Sequence, residues 1–412
     1  MARVEQIDEK QVNTYCAYGA LIIFVVGELL FRYSTLNSSH PLFASFKFID
    51  LFDCASMCLA AIAIITRPQK MSAGQAVLAG IGIAVLLVSA ILVEDYRILC
   101  SYALLIAISN QDLKRICGLY GYTILLVVAI VVVLSTIGAL LNKDVIPNSR
   151  LVFTYGFGHP NTTGSLLMAG ALPLAYYFWN RRLWWVPSII ALICSVFSYL
   201  LLSSHACFAI LLAMAILFVI GHEPHIRQFG PLPTRVFFPV LLITPMMLMT
   251  IMLLLTVCYD ANNPLFVLIN KLIHGRPAFA HNYYVDNGGF TVFGARFASK
   301  SSYHSGLPFA SVDCGYSRLA LVTGLLPMCV LLVTYIAAIR KLSKESPHFL
   351  IFFAFMLASL HMVVEGVQVY IVTGFAILFV SAAFARNESD FSGPHDNTLS
   401  QTRASRSHKE IS

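Results

Sequence analysis

Tyr15-Cys-Ala-Tyr-Gly-Ala-Leu-Ile-Ile-Phe-Val-Val-Gly-Glu-Leu-Leu-Phe31 is an apolar run broken by a single charge, Glu28. It is long enough to cross the hydrocarbon core of a bilayer as a helix. The segment before it, Met1 to Asn13, is polar. It lacks the charged start, short apolar core and small-residue cleavage site of a signal peptide, so the run reads as a retained transmembrane helix. Outward from this run, similar stretches follow at about 46 to 66, 74 to 93, 96 to 109, 119 to 141, 161 to 180, 184 to 203, 205 to 220, 236 to 258, 316 to 339, 348 to 362 and 366 to 384. The fourth and eleventh are short for a full span, which predicts tilted, broken or partly inserted helices there. Composition agrees, because 58% hydrophobic and 11% charged residues over 412 positions far exceed what a soluble core needs.

Backbone groups in lipid must be satisfied internally, which leaves helices or closed barrels, and long continuous apolar runs exclude a barrel. The expected fold is therefore all-α: a polytopic integral membrane helical bundle of about 12 transmembrane helices with a long extracytoplasmic loop. Residues 1–385 form one membrane domain in this reading, with the loop at 259–315, and 386–412 form a disordered cytoplasmic tail rich in Ser, Asp and Gly. Basic residues recur after every second span, at Arg67 and Lys70, Lys114 and Arg115, Arg181 and Arg182, Arg227 and Arg235, and Arg340, Lys341 and Lys344. The positive-inside rule puts these connectors and both termini in the cytoplasm. The net charge of +7 comes without any nucleic-acid recognition motif, so membrane lipids are the expected partner and nucleic acid is not. Ten cysteines lie mostly within apolar runs, with no metal-ligand spacing.

The alternate connectors face outward and hold the polar chemistry: the stretch from Lys143 to Pro160, Ser203-Ser204-His205, the 259–315 loop and the neighbourhood of Glu365. Arg150, Arg276, Arg296, Lys300 and Arg318 stand there against the positive-inside tendency. Guanidinium groups can grip phosphate oxygens bidentately, so outward arginines point to an anionic ligand; pairing with headgroups or with Asp286 and Asp313 is the plainer alternative. A general base, where one is needed, would come from Asp313, His159, His281, His304 or Glu365. Plainer roles compete here too. His159-Pro160-Asn161 can fix the start of a helix, Asp313 can cap or pair with Arg318, and Glu365 can pack helices. Aromatic residues in the loop, among them Tyr283, Tyr284 and Phe290, suit sugar stacking or interfacial anchoring. Internal repeats with interrupted helices in matching positions are not evident, which counts against a transporter.

Arg150, Gly156, Gly158, His159-Pro160-Asn161 and Gly164, followed by Ser203-Ser204, Leu272-Ile-His-Gly275-Arg276, Gly294, Asp313-Cys-Gly-Tyr316 and Gly324, resemble the ordered motifs of the bacterial O-antigen and capsular polysaccharide polymerase family, often called Wzy-like. The likeness spans roughly residues 15 to 385, and His205 stands where the family often has an arginine. The resemblance implies a glycosyltransferase of the bacterial cytoplasmic membrane acting on undecaprenyl-diphosphate-linked oligosaccharide at the outer face. It implies a flippase and a chain-length regulator as companion partners, with no cofactor or metal. The related O-antigen ligases, which pass a finished chain to another acceptor, are the nearest alternative. Arg150, Arg276, His205 and Arg296 are then expected to bind the diphosphate, and Asp313, His159 and Glu365 to do acid–base work. Gly158, Pro160, Asn161, Gly275 and Tyr316 are expected to shape the loops.

Overall fold

The computed structural model describes residues 9–39, 47–67, 71–142, 144–145, 152–222, 234–296, 312–345 and 348–385. In chain order the helices are α1 (Glu9–Gly27), α2 (Leu36–Ser39), α3 (Phe48–Ile65), α4 (Ala73–Val93), α5 (Arg97–Ile108), α6 (Leu113–Thr136), α7 (Pro160–Phe178), α8 (Val186–Leu200) and α9 (His205–His222). They continue as α10 (Thr234–Cys258), α11 (Pro264–Leu272), α12 (Arg276–Asp286), α13 (Gly315–Arg318), α14 (Leu325–Glu345) and α15 (Phe349–Val364). Two π-helical segments, Glu28–Tyr33 and Leu319–Thr323, extend α1 and α13. The sole pairing of strands among the described residues is Asp144–Val145 with Val152–Phe153.

This is a helical membrane protein. Seven described helices are long and apolar enough to cross a membrane, and α5, α8 and α15 are shorter apolar helices. The fourth and eleventh expected spans are indeed the short α5 and α15. Two other expectations need adjusting. The stretch at 161–180 forms a 19-residue helix, α7, whose Asn, Thr, Ser and Gly residues make it less oily than its neighbours. It is buried nearly along its whole length, so it needs no lipid-facing side. The last stretch, 366–384, is not an α-helix: it folds as 3-10 turns at Gly366–Val369 and Ile377–Phe384, with Gly374 between them.

A non-α backbone is tolerated at membrane depth only where protein groups satisfy it. Here they do. Tyr120 Oη donates to the Ile371 carbonyl at 2.5 Å, Ser101 Oγ accepts from the Ile371 amide at 3.1 Å, and Gln75 Nε2 donates to the Ala383 and Ala385 carbonyls. Arg67 adds a bond to the Phe384 carbonyl at 2.6 Å. The segment is consequently buried in the bundle core, with Phe375, Phe379 and Phe384 fully enclosed.

Elsewhere small residues set the packing, as expected where lipid tails supply no drive for helices to associate. A Cβ on Gly121 would lie 2.7 Å from the Gly170 carbonyl, so α6 and α7 approach to backbone contact. The outer faces carry Leu126, Ile193, Ile243 and Leu254 in the open, a surface suited to lipid. The connectors sort into two ends. Arg67 with Ser109 and Phe384, and Lys341 with Ala385, lie at one end. Ser34 pairs with Phe157, Asn161 with Glu365, and Arg276 with Val364 at the other. This second end is the one that the positive-inside reading places outside.

Candidate functional site

Asn161 is the hub of that second end. His159 is the N-cap of α7, its Nδ1 accepting from the Asn161 amide at 3.2 Å, and Pro160 occupies the first turn, where a missing amide hydrogen costs nothing. The turn ahead of it is fixed by the Gly158 amide donating to the Tyr33 carbonyl at 3.0 Å. With its backbone set, the Asn161 side chain faces two partners. Nδ2 donates to Glu365 Oε1 at 2.7 Å, and Oδ1 accepts from Ser204 Oγ at 2.9 Å. Residues from the starts of α7 and α9 and from the end of α15 therefore meet in one network.

Arg276 reaches the same carboxylate from the 259–315 segment. Its Nε donates to the Val364 carbonyl at 2.5 Å, its Nη1 to the Ile273 carbonyl at 3.2 Å, and its Nη2 lies 3.6 Å from Glu365 Oε1. Both side chains are only 12% exposed. The bend that delivers it uses left-handed backbone at His274 and Gly275, with φ of 55° and 83°. A non-glycine residue in that region carries a conformational cost that sites of function often bear. Asp313 completes the surroundings: its backbone carbonyl would lie 3.2 Å from a Cβ on Gly366, the residue after Glu365. Burial first, then the Asp313 charge, push the Glu365 carboxyl up to about 7, against the opposing pull of Arg276 and Asn161. A carboxyl poised near neutrality is suited to proton transfer.

His159 is a poorer base than the sequence suggests. Its Nδ1 lone pair is committed to the Asn161 amide, so in the neutral ring Nε2 carries the hydrogen and acts as a donor. The protein around the ring lowers its pKa, opposed in part by Asp313. His281 pairs through Nδ1 with the Thr256 carbonyl at 2.9 Å and lies against Tyr259, a bracing arrangement. His304 and Arg150 lie outside the described residues.

The remaining residues fall in several places. Arg296 pairs with Glu94 at 2.6 Å, and both side chains are more than half exposed, so it stands apart from Arg276. His205 begins α9 with its ring 5.7 Å from that of Tyr199, while its neighbour Ser204 is the one bonded to Asn161. Tyr316 is buried and donates to the Ser359 carbonyl at 3.0 Å, bracing the turn that carries Asp313. Tyr283 is buried too, with its hydroxyl on the Ala295 carbonyl, which argues for bracing over sugar stacking. Gly294 and Gly324 are in backbone contact. A Cβ on Gly294 would come 2.1 Å from the Val322 carbonyl, and one on Gly324 would come 2.2 Å from the Gly294 amide nitrogen. These two glycines fasten the outer segment to the start of α14, where Leu325 and Leu326 donate to the Thr291 and Val292 carbonyls.

Sequence reasoning did not single out a second polar cluster nearby. Arg97 forms a close pair with Asp95, with Nε–Oδ1 at 2.8 Å and Nη2–Oδ2 at 2.5 Å, and its guanidinium lies 4.3 Å above the Tyr370 ring. Arg32 bridges Glu28 at 3.2 Å and Asp53 at 3.3 Å. The signal available was the presence of Glu28, Arg32 and Asp53 at the outer ends of two spans, and of Asp95 and Arg97 flanking a tight connector. Ionisable groups beside oily runs require partners.

Below the Asn161 network a cavity of about 170 Å³ runs into the bundle, bounded by Met246, Met249, Tyr316, Tyr335, Phe355 and Met362. Met362, which lines the cavity, precedes Glu365 by three residues at the end of α15. Its walls are almost wholly apolar. Among the described residues no group of His, Cys, Asp and Glu is arranged to hold a metal ion. Comparison with protein-family models, curated proteins and solved structures gives no match.

Proposed function

We propose that this protein is a polysaccharide polymerase that joins undecaprenyl-diphosphate-linked oligosaccharide repeat units at the outer face of a bacterial cytoplasmic membrane. The observation that carries the reading is the meeting of Asn161, Arg276 and Glu365, from three distant parts of the chain, above an apolar cavity. A lipid diphosphate has both characters in one molecule, an anionic head and a hydrocarbon tail.

In the proposed reaction, the acceptor sugar hydroxyl loses its proton to the Glu365 carboxylate and its oxygen bonds to the anomeric carbon of the donor. The bond from that carbon to the phosphate oxygen breaks, and its electron pair leaves with undecaprenyl diphosphate. In this reading Arg276 and Arg150 stabilise the charge that gathers on the leaving group; one such cation is worth about 10² in rate. Asn161 keeps the carboxylate oriented, and Asp313 holds its proton affinity high.

The test is surface glycan in a strain lacking the gene, complemented with wild type, Glu365→Gln or Arg276→Ala at matched membrane expression. Long glycan restored by wild type alone, with single lipid-linked units accumulating in both variants, supports the reading. Long glycan from both variants contradicts it. Lipid-linked polymer that still forms without the gene but no longer reaches its final acceptor supports the ligase instead.

A further inference from the structure

Four described arginines at the outer end, Arg32, Arg97, Arg276 and Arg296, each have a carboxylate oxygen within 3.6 Å. Arg318 has none. It ends α13, where the chain passes into the π-helical segment, and its side chain runs beneath the backbone of Gly366: a Cβ there would meet Arg318 Cδ at 2.9 Å. Its one hydrogen-bond partner among the described residues is neutral, Tyr370 Oη, at 3.3 Å from Nε. A face of the same phenol ring is covered by Arg97, whose own charge is matched by Asp95. The two Nη groups have no hydrogen-bond partner among the described residues and are not sealed from solvent, so they remain open to a ligand.

The Asp95 charge reaches Arg318, but both Asp95 oxygens are bonded to Arg97. A half-buried, permanently charged fork with free donors calls for an oxyanion from outside the chain.

We propose that Arg318, oriented by Tyr370, binds a phosphate-type oxyanion at this end of the bundle. This rests on the reading of the site as one for a lipid diphosphate, and it adds Arg318 to the anion contacts in place of Arg296, which is paired with Glu94. Tyr316 and Leu319, on the same short segment as Arg318, line the apolar cavity. Tyr370 is a positioning residue: its hydroxyl fixes Nε and leaves the two Nη groups to form the fork.

The test measures binding of inorganic diphosphate and of farnesyl diphosphate to the purified full-length protein in detergent, together with melting temperature without ligand. Wild type is expected to bind both. Arg318→Gln should weaken both by about 10-fold or more, the scale of a lost charge-assisted bidentate contact, while its ligand-free melting temperature is unchanged or higher because an unmatched charge has been removed. Tyr370→Phe should weaken both by a smaller factor. Farnesyl diphosphate binding tighter than inorganic diphosphate assigns the site to a lipid, and equal affinities assign it to a soluble anion; either outcome supports the role of Arg318. Affinities within about 2-fold of wild type in folded Arg318→Gln overturn the proposal, because a lost charge-assisted contact changes affinity by more. Should that variant not fold, Arg318→Lys decides: an approximately 10-fold loss with the charge retained supports a fork, and unchanged affinity overturns it. The outcome is independent of the glycan assay, since anion binding through Arg318 stands or falls whether or not polymer is made.

Discussion

Two polar clusters occupy the same end of the bundle and are built on opposite plans. Around Arg97 and Arg32 the partners are near in sequence or on adjacent helices, and each guanidinium has its carboxylate: Asp95 for Arg97, Glu28 and Asp53 for Arg32. Around Asn161 the partners come from remote stretches, and one guanidinium, Arg276, is set against two carboxyl groups, Glu365 and Asp313. The consequence is visible in the two carboxyls. Burial pushes the Asp95 carboxyl up, but the hydrogen bonds and charge of Arg97 outweigh it and bring it down to about 2. Burial and Asp313 outweigh Arg276 at Glu365 and take it to about 7. Matched charge holds helices together; crowded like charge keeps a proton within reach at neutral pH.

The sharpest way to break the contrast is to remove one member of each cluster. Glu365→Gln and Arg276→Ala should each reduce polymer formation by about 10² or more at normal membrane levels, read as the chain-length distribution of glycan. Arg97→Gln should do the reverse, costing about 3–5 kcal/mol of stability by leaving Asp95 unpaired, with little change in turnover per folded molecule. Thermal unfolding and specific activity on the same preparations separate these outcomes. Loss of turnover in well-folded Arg97→Gln would merge the two clusters into one site.

The pH response should also differ. Glu365 has a folded pKa above its unfolded value, so its contribution to stability is fully present below about 4.5 and is lost as pH rises through about 7. Activity, which needs the ionised form, should rise over that window. Asp95 has a depressed folded pKa, so its stabilisation is present above about 4 and is lost as pH falls toward 2. A rate profile flat from pH 6 to 8 would exclude Glu365 as the base. A smaller effect is expected at the hub: Asn161→Ala removes a bond that favours ionised Glu365, and should shift the midpoint of the rate profile upward and cost about 1–3 kcal/mol. Smallest of all, Tyr120→Phe should lower stability by about 1 kcal/mol without altering the profile, since its hydroxyl serves the Ile371 and Val372 carbonyls, away from the Asn161 network.

Much of the architecture was legible because oily runs and basic connectors report membrane geometry directly. The short α5 and α15 followed from run length, and the outward set of connectors does gather at one end. The last span was misjudged because apolar composition cannot separate an α-helix from a 3-10 segment whose carbonyls are served by Tyr120, Gln75 and Arg67 from far along the chain. At the site, Arg276, Asp313, Glu365, Asn161 and His159 were identifiable as polar residues in outward segments. The choice among them was not, because it depends on which lone pair each neighbour takes. Nδ1 of His159 is engaged by a backbone amide, Arg296 by Glu94, and Arg318 by no carboxylate; none of these relations is a matter of spacing in the sequence.

The central claim is most directly tested by release of undecaprenyl diphosphate from lipid-linked repeat units, extracted from the strain lacking the gene and incubated with purified protein in liposomes. The account predicts release with wild type, release at near wild-type turnover per folded molecule with Arg97→Gln, and none with Glu365→Gln. Release by Glu365→Gln at the wild-type rate, or no release by folded wild-type protein, would contradict it.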